Sequence, residues 1–378
     1  MTGPQASAVT IVAHDVGGIG GMERQLERLI RGLAEDGIEV RVVSRTMNFQ
    51  APGVHWFRVP GPSRPFAFAL PWFFVAGSLV TRARARGLLH ATGAIVAGKV
   101  DVSTVHYCHA AAPRDLRQAR ASRSTVAYRV NAVISDALAR LGERWCYRPS
   151  RVRTLIGVSP RVSEEVRHFF PGTHVETIPN GVDPATFSPD PSERLRRRAE
   201  LGIGESELVA LFVGGDWERK GLSAAVDALA FAPRWRLLVV GDGDQASAAA
   251  RARRTGVGDR LHFFRPTPAV DGFYKLADAF VLPTRYETFS LVTYEAAACG
   301  LPLLATLVGG IEDILRDGET GFAIDGDPRA IGARLEQLAS SPTLREALGN
   351  AAHARARDYS WDRIVARYRV LYDRLSAA

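Results

Sequence analysis

ADAFVLPTRYETFSLVTYEAAACGLP, residues 277–302, contains a short apolar run, a polar turn and a second apolar run. The first run, over residues 277–284, ends near a proline and predicts a buried β-strand. The second run follows Ser290, whose hydroxyl can cap a helix, and stops at Gly300, which predicts a helix over residues 291–299. A strand, a loop and a helix in this order are typical of open parallel α/β sheets, whose ligands bind at the carboxyl ends of the strands.

Two glutamates lie eight residues apart in this stretch. On one continuous helix their carboxylates would be about 80° out of line, so a shared helical face does not explain the spacing. With a helix that begins after Ser290, Glu287 lies in the preceding loop and Glu295 lies one turn inside the helix. Both can then face the anion that a helix N-terminus attracts, such as a phosphate. The alternative is that both are solvated surface charges, since glutamate is usually exposed.

The same alternation of strands and helices occurs twice along the chain. In the first half, the strand pattern AVTIVAHD precedes a glycine-rich turn and a helical pattern over residues 22–35. The predicted core face of this helix consists of Met22, Leu26, Leu29, Ile30 and Leu33. Residues 175–194 are rich in Pro, Gly, Asn and Asp and predict turns and a linker, after which the alternation restarts. The pattern predicts two Rossmann-like, doubly wound α/β domains facing a cleft, over residues 1–174 and 175–358.

Composition sets further bounds. The 378 residues are 46% hydrophobic and 23% charged, as in ordinary globular proteins. Cys108, Cys146 and Cys299 show no metal or disulfide spacing, which fits a reducing cytoplasm, and the N-terminus has no signal-peptide pattern. The longest apolar stretch, residues 66–80, is interrupted by Pro71, and we expect it to be too short to span a membrane.

The first glycine-rich turn has the composition of a phosphate-binding loop. Gly17, Gly18, Gly20 and Gly21 lie between a predicted strand and a predicted helix, where glycine allows backbone N–H groups to approach a phosphate. A dinucleotide fingerprint from Gly18 would need a third glycine where Glu23 stands, which argues against a nicotinamide enzyme. A plain tight turn is the alternative.

The corresponding turn of the second half carries two cations. In VGGDWERKGL, residues 213–222, Arg219 and Lys220 precede a predicted helix, and Lys220 is a compact charge suited to a pyrophosphate. An exposed basic helix start is the alternative, but positive charge is unfavourable at that end of the helix dipole. Asp242 and Asp244 in GDGD are better explained by a turn than by a metal site.

Two histidines follow a predicted strand of the first half. His106 and His109 have no third metal ligand near them in sequence. A single histidine at a strand end can instead orient or deprotonate a hydroxyl group. A satisfied, partly buried histidine is the alternative for each.

In order along the chain, these pieces resemble family-4 retaining glycosyltransferases of the GT-B fold. The resemblance covers most of the chain and rests on GGME, IGVSPRVSEEV (156–166), IPNGVD (178–183), RKG, VVGDGD, the two-glutamate stretch, GLPLLAT, GGIEDIL and DGETGF. The Arg219–Lys220 pair and HYCHAAA are most similar to the lipopolysaccharide-core glucosyltransferase branch. The resemblance implies retaining, metal-independent transfer of a hexosyl unit from a nucleotide sugar, a UDP-sugar in our interpretation, with no other cofactor.

The resemblance also implies roles for individual residues. The catalytic set would be His106, Glu287, Arg219 and Lys220. Glu295 would hold the ribose, Glu287 would face the donor sugar, and Arg219 and Lys220 would neutralise the departing diphosphate. The remaining donor contacts would be Gly20, Gly21, Gly214, Pro266, Thr267, Thr288, Phe289, Ser290 and Leu291. His106 and His109 would lie on the acceptor side, and the final helix, residues 359–378, would return to the first domain.

The acceptor and the cellular location are expected from the resemblance and from the distribution of charge. The acceptor is expected to be lipid-linked, a glycan or a small natural product. Residues 1–180 contain 23 Lys and Arg against 13 Asp and Glu, and residues 56–86 combine aromatic side chains with five arginines. We therefore expect a cytoplasmic protein, peripheral on an anionic membrane surface. The alternatives are that these aromatics pack in a core with solvated arginines around them, or that this surface receives a soluble acceptor.

Two other functions are compatible with parts of the sequence. A nucleotide-sugar epimerase would use the same donor site without an acceptor sugar. A nucleic-acid-binding protein is suggested by the isoelectric point of about 9.7, but no nucleic-acid-binding motif accompanies the charge, so nucleic acid is not an expected partner.

Overall fold

The computed structural model describes residues 6–18, 21–111 and 126–377. The chain divides into two compact units: unit 1 is Met1–Asn180 with Trp361–Ala378, and unit 2 is Gly181–Ser360. The sequence placed the first boundary six residues earlier, at 174/175. That position is wrong because Val175–Thr177 form an edge strand of unit 1, paired in parallel with Val152–Gly157.

Unit 1 is built on a parallel sheet of seven strands in the order β5-β3-β1-β6-β7-β8-β9. Its strands are β1 (Ala8–Val12), β2 (Asp15–Val16), β3 (Glu39–Ser44), β4 (Thr46–Met47), β5 (Val54–Arg58), β6 (Leu88–Ala91), β7 (Val100–Val105), β8 (Val152–Gly157) and β9 (Val175–Thr177). Strands β2 and β4 form a separate pair. Its described helices are α1 (Gly21–Glu35), α2 (Phe66–Arg84), α3 (Val126–Cys146) and α4 (Pro160–Phe169). The C-terminal helix, Trp361–Ala377, also belongs to this unit.

Unit 2 repeats the architecture with a parallel sheet of six strands in the order β12-β11-β10-β13-β14-β15. Its strands are β10 (Leu208–Val213), β11 (Trp235–Val240), β12 (Leu261–Phe264), β13 (Ala279–Leu282), β14 (Leu303–Ala305) and β15 (Gly321–Ala323). Its α-helices are α5 (Pro191–Glu200), α6 (Leu222–Ala228), α7 (Gln245–Arg254), α8 (Asp271–Leu276), α9 (Leu291–Ala298), α10 (Ile311–Ile314), α11 (Pro328–Ser340) and α12 (Pro342–Ala356). The predicted linker therefore ends earlier than expected, because Asp190 accepts the N–H of Glu193 and starts α5.

The C-terminal helix, here α13, returns to unit 1 and shares its core with α1. Leu26, Leu29, Ile30 and Leu33 of α1 are buried as predicted, but Met22 is 52% exposed. Met22 lies in the first turn of α1, before the helix reaches the core. Five α13 side chains are buried in the same cluster: Ile364, Val365, Tyr368, Leu371 and Tyr372. Gly32 makes the close approach possible, because a Cβ there would lie 2.5 Å from Val365.

A buried polar network also joins α13 to the sheet. His90 of β6 bonds Tyr372 Oη through Nδ1 at 2.6 Å and Thr104 Oγ1 through Nε2 at 2.7 Å. Burial lowers the pKa of His90 to about 3, so the imidazole is neutral. The network satisfies both ring nitrogens and ties the last helix of the chain to two central strands.

Helix α2 is longer than the apolar stretch suggested. It continues through Pro71 to Arg84, and it is the one helix among the described residues that is long and apolar enough to cross a membrane. The expectation that this stretch is too short was therefore wrong. Only 22% of its most apolar window is buried, and its exposed side chains include Phe68 and Leu79. The alternative was that these aromatic side chains pack in a core. Among the aromatic side chains of α2, only Phe73 is buried.

Candidate active site

Helix α9 starts where the sequence predicted, but the residue before it, Ser290, has an unexpected backbone conformation and an unexpected hydrogen bond. The helix begins after Ser290 and ends before Gly300, which has a φ of +76°. Ser290 itself has a left-handed backbone, with φ 73°. Its hydroxyl was expected to cap the helix N–H groups, but it bonds Thr293 Oγ1 at 2.9 Å. The first N–H groups of α9 therefore receive no bond from the Ser290 side chain.

Glu287 lies in this loop and pairs with both predicted cations. Its Oε1 is 3.1 Å from Arg219 Nη1 and 3.1 Å from Lys220 Nζ. Thr284 Oγ1, at the end of β13, donates to the same oxygen at 3.3 Å. Only about a tenth of the Glu287 and Lys220 side chains is exposed. The structure thus brings together three residues of the predicted catalytic set. They form ion pairs at a position that is largely shielded from solvent.

Two glycines allow this cluster to form. A Cβ on Gly214 would lie 2.7 Å from Lys220 Cε, so the lysine stem lies directly over that glycine. Gly221 has a φ of +77°, and a Cβ there would lie 2.0 Å from the carbonyl oxygen of Pro283. The RKG turn can therefore pack closely against the end of β13, because Gly221 has no side chain to obstruct the contact. Of these two glycines, the sequence had named only Gly214 as a donor contact.

Glu295 is buried inside α9, at 7% exposure, and its Oε2 accepts the hydroxyl of Tyr274 at 2.8 Å. Tyr274 comes from α8 and is itself fully buried. The alternative that Glu295 is a solvated surface charge is therefore wrong. The alternative for Glu287 fails for the same reason, because that carboxylate is also mostly buried.

A second loop, which the sequence reasoning did not assign, supports residues 287–289. A Cβ on Gly309 would lie 2.0 Å from the carbonyl oxygen of Glu287, and one on Gly310 would lie 2.8 Å from that of Phe289. Tyr294 donates to the carbonyl of Gly310 at 2.6 Å and stacks on Phe289 at 4.1 Å. The GG pair in the sequence was the available signal, since glycine permits such backbone contacts.

The other predicted donor contacts lie at strand ends of unit 2. Pro266 is exposed and Thr267 is half-buried, and both follow β12, the edge strand of the sheet. Thr267 Oγ1 accepts the N–H of Ala269. Thr288 and Leu291 flank the Phe289–Ser290 turn and are half-buried. The carboxyl ends of parallel strands lie along one edge of a sheet. These residues and the Glu287 cluster therefore lie at the same edge of the unit 2 sheet.

The GDGD segment forms a helix start. Asp244 accepts the N–H of Ser247 and caps α7, as a turn predicted. Among the described residues, no group of three His, Cys, Asp or Glu side chains could hold a metal ion.

In unit 1, His106 follows β7 directly and lines a cavity. Burial lowers the pKa of His106 to about 4, so its ring is neutral near pH 7 and a weak base. His109 lines the same cavity, and its Nδ1 lies 3.6 Å from Asp136. Gly21 is the first residue of α1, while Gly20 lies outside the described residues.

Glu143 of α3 is a site residue that the sequence did not indicate. It is 2% exposed, and its two oxygens accept the backbone N–H groups of His109 at 2.7 Å and Ala110 at 2.9 Å. Burial raises the pKa of Glu143 to about 7, although these two bonds lower it. No local pattern could have singled it out, because its partners are more than thirty residues away.

Two doubly wound units, with a charged cluster before a helix of the second, define the GT-B class of fold. Family models agree with this assignment in both units. One described as "Glycosyltransferase Family 4" matches residues 19–186, and one described as "Glycosyl transferases group 1" matches residues 193–355.

Curated relatives extend over most of the chain. A D-inositol 3-phosphate glycosyltransferase from Thermobifida fusca is 30% identical, covering 92% of this chain and 87% of that protein. One from Salinispora arenicola is also 30% identical, covering 96% and 89%. One from Acidothermus cellulolyticus is 36% identical, but there the match covers 50% of this chain and spans only about half, 46%, of the relative's length. The chain belongs to glycosyltransferase family 4.

Solved structures show the same fold. WaaG, a glycosyltransferase involved in lipopolysaccharide biosynthesis, superposes with a TM-score of 0.77 at 21% identity, covering 96% of this chain and 98% of that one. Sucrose-phosphate synthase from Thermosynechococcus elongatus superposes with a TM-score of 0.78 at 22% identity, covering 98% of this chain and 99% of that one. Anabaena HepE in complex with UDP-glucose superposes with a TM-score of 0.70 at 18% identity, covering 96% of this chain and 98% of that one. At these identities the similarity establishes the fold alone.

Proposed function

We propose that this chain is a retaining, metal-independent glycosyltransferase that moves a hexosyl unit from a UDP-sugar to a hydroxyl of a glycolipid, a polysaccharide precursor or a natural product. The observation that carries the proposal is the Arg219–Lys220–Glu287 cluster in front of α9. HepE, which has the same fold, was solved with UDP-glucose, and that supports the choice of donor.

The cluster has the properties that a departing diphosphate needs. Arg219 and Lys220 supply two positive charges at Glu287, in the loop that leads into the N-terminus of α9, the positive end of the helix dipole. Negative charge on the diphosphate grows as the bond to the sugar breaks, so these groups stabilise the transition state more than the bound donor. They would do what a metal ion does in other transferases.

The two glutamates would divide the rest of the donor between them. Glu295 is held in place inside α9 by the hydroxyl of Tyr274, and a carboxylate positioned in this way suits the ribose hydroxyls. Glu287 shares Oε1 among Arg219, Lys220 and Thr284, which leaves Oε2 for the sugar. On this proposal Glu287 orients the sugar near its anomeric carbon.

On the acceptor side, the neutral ring of His106 orients a hydroxyl group by hydrogen bonding. A base with a pKa of about 4 holds little driving force for full deprotonation, so orientation is the better role of the two that the sequence left open. We further propose that the protein works in the cytoplasm at an anionic membrane surface, which the exposed apolar side chains of α2 support.

Separate measurements of donor binding and turnover test the donor site. Lys220→Ala should chiefly lower the rate, whereas Glu295→Ala should weaken donor binding by about 1–3 kcal/mol through lost ribose bonds. Arg254→Ala, an exposed cation of α7 in the same unit, is the matched control and should behave like the parent. If both site variants bound and turned over donor normally, the assignment of the site would be wrong.

The assay is nucleoside diphosphate release from a panel of nucleotide sugars, with and without acceptor extracts. Transfer should survive EDTA, and activity restored only by Mg²⁺ or Mn²⁺ would contradict metal independence. Interconversion of the nucleotide sugar without an acceptor product would indicate the epimerase instead.

A further inference from the structure

A cavity of about 610 Å³ lies within unit 1, between helices α2 and α3. Its apolar walls come from both helices, with Leu70, Phe74 and Val75 on α2 facing Leu138, Leu141 and Trp145 on α3. Cavities of this size enclose most of a drug-sized molecule, and a mainly apolar wall with few polar groups is their usual composition.

Three polar side chains of the cavity wall, His106, His109 and Glu143, belong to the turn after β7 or contact it. His106 and His109 follow β7, and Glu143 accepts the backbone N–H groups of His109 and Ala110. His106 is also the residue that we place at the acceptor hydroxyl. The apolar cavity is therefore continuous with the acceptor side of the proposed reaction.

The described wall of the cavity favours an uncharged acceptor. Its lining, within the part of the chain that the structure describes, includes Glu143 and neither lysine nor arginine. A phosphate ester is recognised by cations or by several N–H donors. The relatives are named for D-inositol 3-phosphate, and this lining does not suit such a compound.

We propose that the cavity between α2 and α3 is the acceptor subsite, and that it takes an uncharged compound whose apolar body fills the space between the helices while its hydroxyl lies at His106. This inference rests on the proposed function and names its substrate class. The apolar body is a ring system of a soluble compound or the hydrocarbon part of a glycolipid, and both present the same chemistry to the walls.

Calorimetric titration of the whole chain tests the proposal with three probes. 2-Naphthol represents a soluble ring compound, monomeric n-octyl β-D-glucopyranoside represents a glycolipid, and myo-inositol 3-phosphate represents the charged class. We expect one or both of the apolar probes to bind, and the probe that binds identifies the source. Binding of neither apolar probe, or of the inositol phosphate alone, would overturn the proposal.

Two substitutions on α3 locate the binding. Ala139 lines the cavity, and Ala137, two residues away on the same helix, is exposed and does not. Ala139→Phe should fill the space and weaken the apolar probe by about tenfold or more, whereas Ala137→Phe should bind like the parent. Equal binding by the two variants would show that the probe lies elsewhere.

A second pair of substitutions, at exposed positions, distinguishes lost binding from a folding defect. Val75 is 60% exposed at the cavity wall, and Val133 is 66% exposed on α3 outside it. Val75→Asp should weaken the apolar probe because it places a charge against it, and Val133→Asp should not. UDP binding is measured in parallel. If UDP fails to bind the parent, the donor proposal fails, whereas loss of apolar-probe binding alone refutes only the acceptor subsite.

Discussion

Glu287 and Glu143 show how different partners give one residue type different properties. Glu287 meets two cations, which compensate its charge. Glu143 accepts two backbone N–H groups, and burial outweighs their effect, so the pKa of Glu143 rises to about 7. At neutral pH the Glu143 side chain therefore exists in both protonation states, beside the turn that carries His106 and His109.

Replacing Glu143 tests this directly. The folded pKa of about 7 lies above the ordinary 4.5, so Glu143 contributes stability that is fully present below pH 4.5 and lost as pH rises through 7. The loss amounts to at most about 3 kcal/mol. Glu143→Gln removes this titration, so its stability relative to the parent should improve between pH 5 and pH 8, measured by thermal unfolding.

The comparison needs the groups near Glu143 to stay the same. Asp136 and Arg140 face it from α3, and Cys108 and Tyr147 lie close enough to feel its charge. At pH 5 the variant should be less stable than the parent, because one amide N–H would face a backbone N–H. Glu164→Gln, which removes one carboxylate at an exposed position of α4, is the matched control. A variant-to-parent difference that is constant from pH 5 to 8 would contradict the raised pKa.

At the scale of the element, helix α13 depends on a contact far away in sequence. The sequence pattern predicted its apolar face. The hydrogen-bond partner of Tyr372, however, is His90 of β6, which lies 282 residues earlier in the chain. The helix is therefore held both by apolar packing on α1 and by the neutral imidazole of a central strand.

Tyr372→Phe should destabilise unit 1. It removes the hydroxyl that satisfies His90 Nδ1 and leaves a buried polar atom without a partner, at a cost of about 1–3 kcal/mol. Urea unfolding followed by tryptophan fluorescence measures the loss. Val370→Ala, at a position 66% exposed on the same helix, should cost much less. Equal losses in the two variants would mean that the network contributes nothing beyond packing.

At the scale of the molecule, charge and exposed apolar surface coincide in one part of the chain. Residues 1–180 carry the excess of positive charge, and α2 in the same unit exposes Phe68 and Leu79 on one helical face. Each basic residue near an anionic surface contributes about 1 kcal/mol, and the apolar side chains add insertion into the headgroup layer.

Sedimentation with vesicles tests this arrangement. The protein should bind phosphatidylglycerol-containing vesicles at low salt, bind less as salt is raised, and ignore neutral phosphatidylcholine vesicles. The double variant Phe68→Ser with Leu79→Ser should release most of the bound protein, whereas Leu195→Ser, an exposed position in unit 2, should release none. A parent protein that ignores anionic vesicles at low salt would favour a soluble acceptor.

The sequence by itself determined the parts of this protein whose signals are local. Strand and helix order, the helix start after Ser290 and the stop at Gly300 follow from periodicity and from the backbone preferences of single residues. The order of several short motifs sufficed to predict the family and the GT-B fold, since each motif marks one strand end or helix start.

Tertiary structure alone decided the partners. Glu287 pairs with Arg219 and Lys220, Val175–Thr177 joins the sheet of unit 1, and Tyr372 bonds His90. Glu143 gained its role only when the turn after β7 packed against α3. Such outcomes depend on which distant groups compete for the same hydrogen bond or the same buried space, and that competition exists only once the chain has folded.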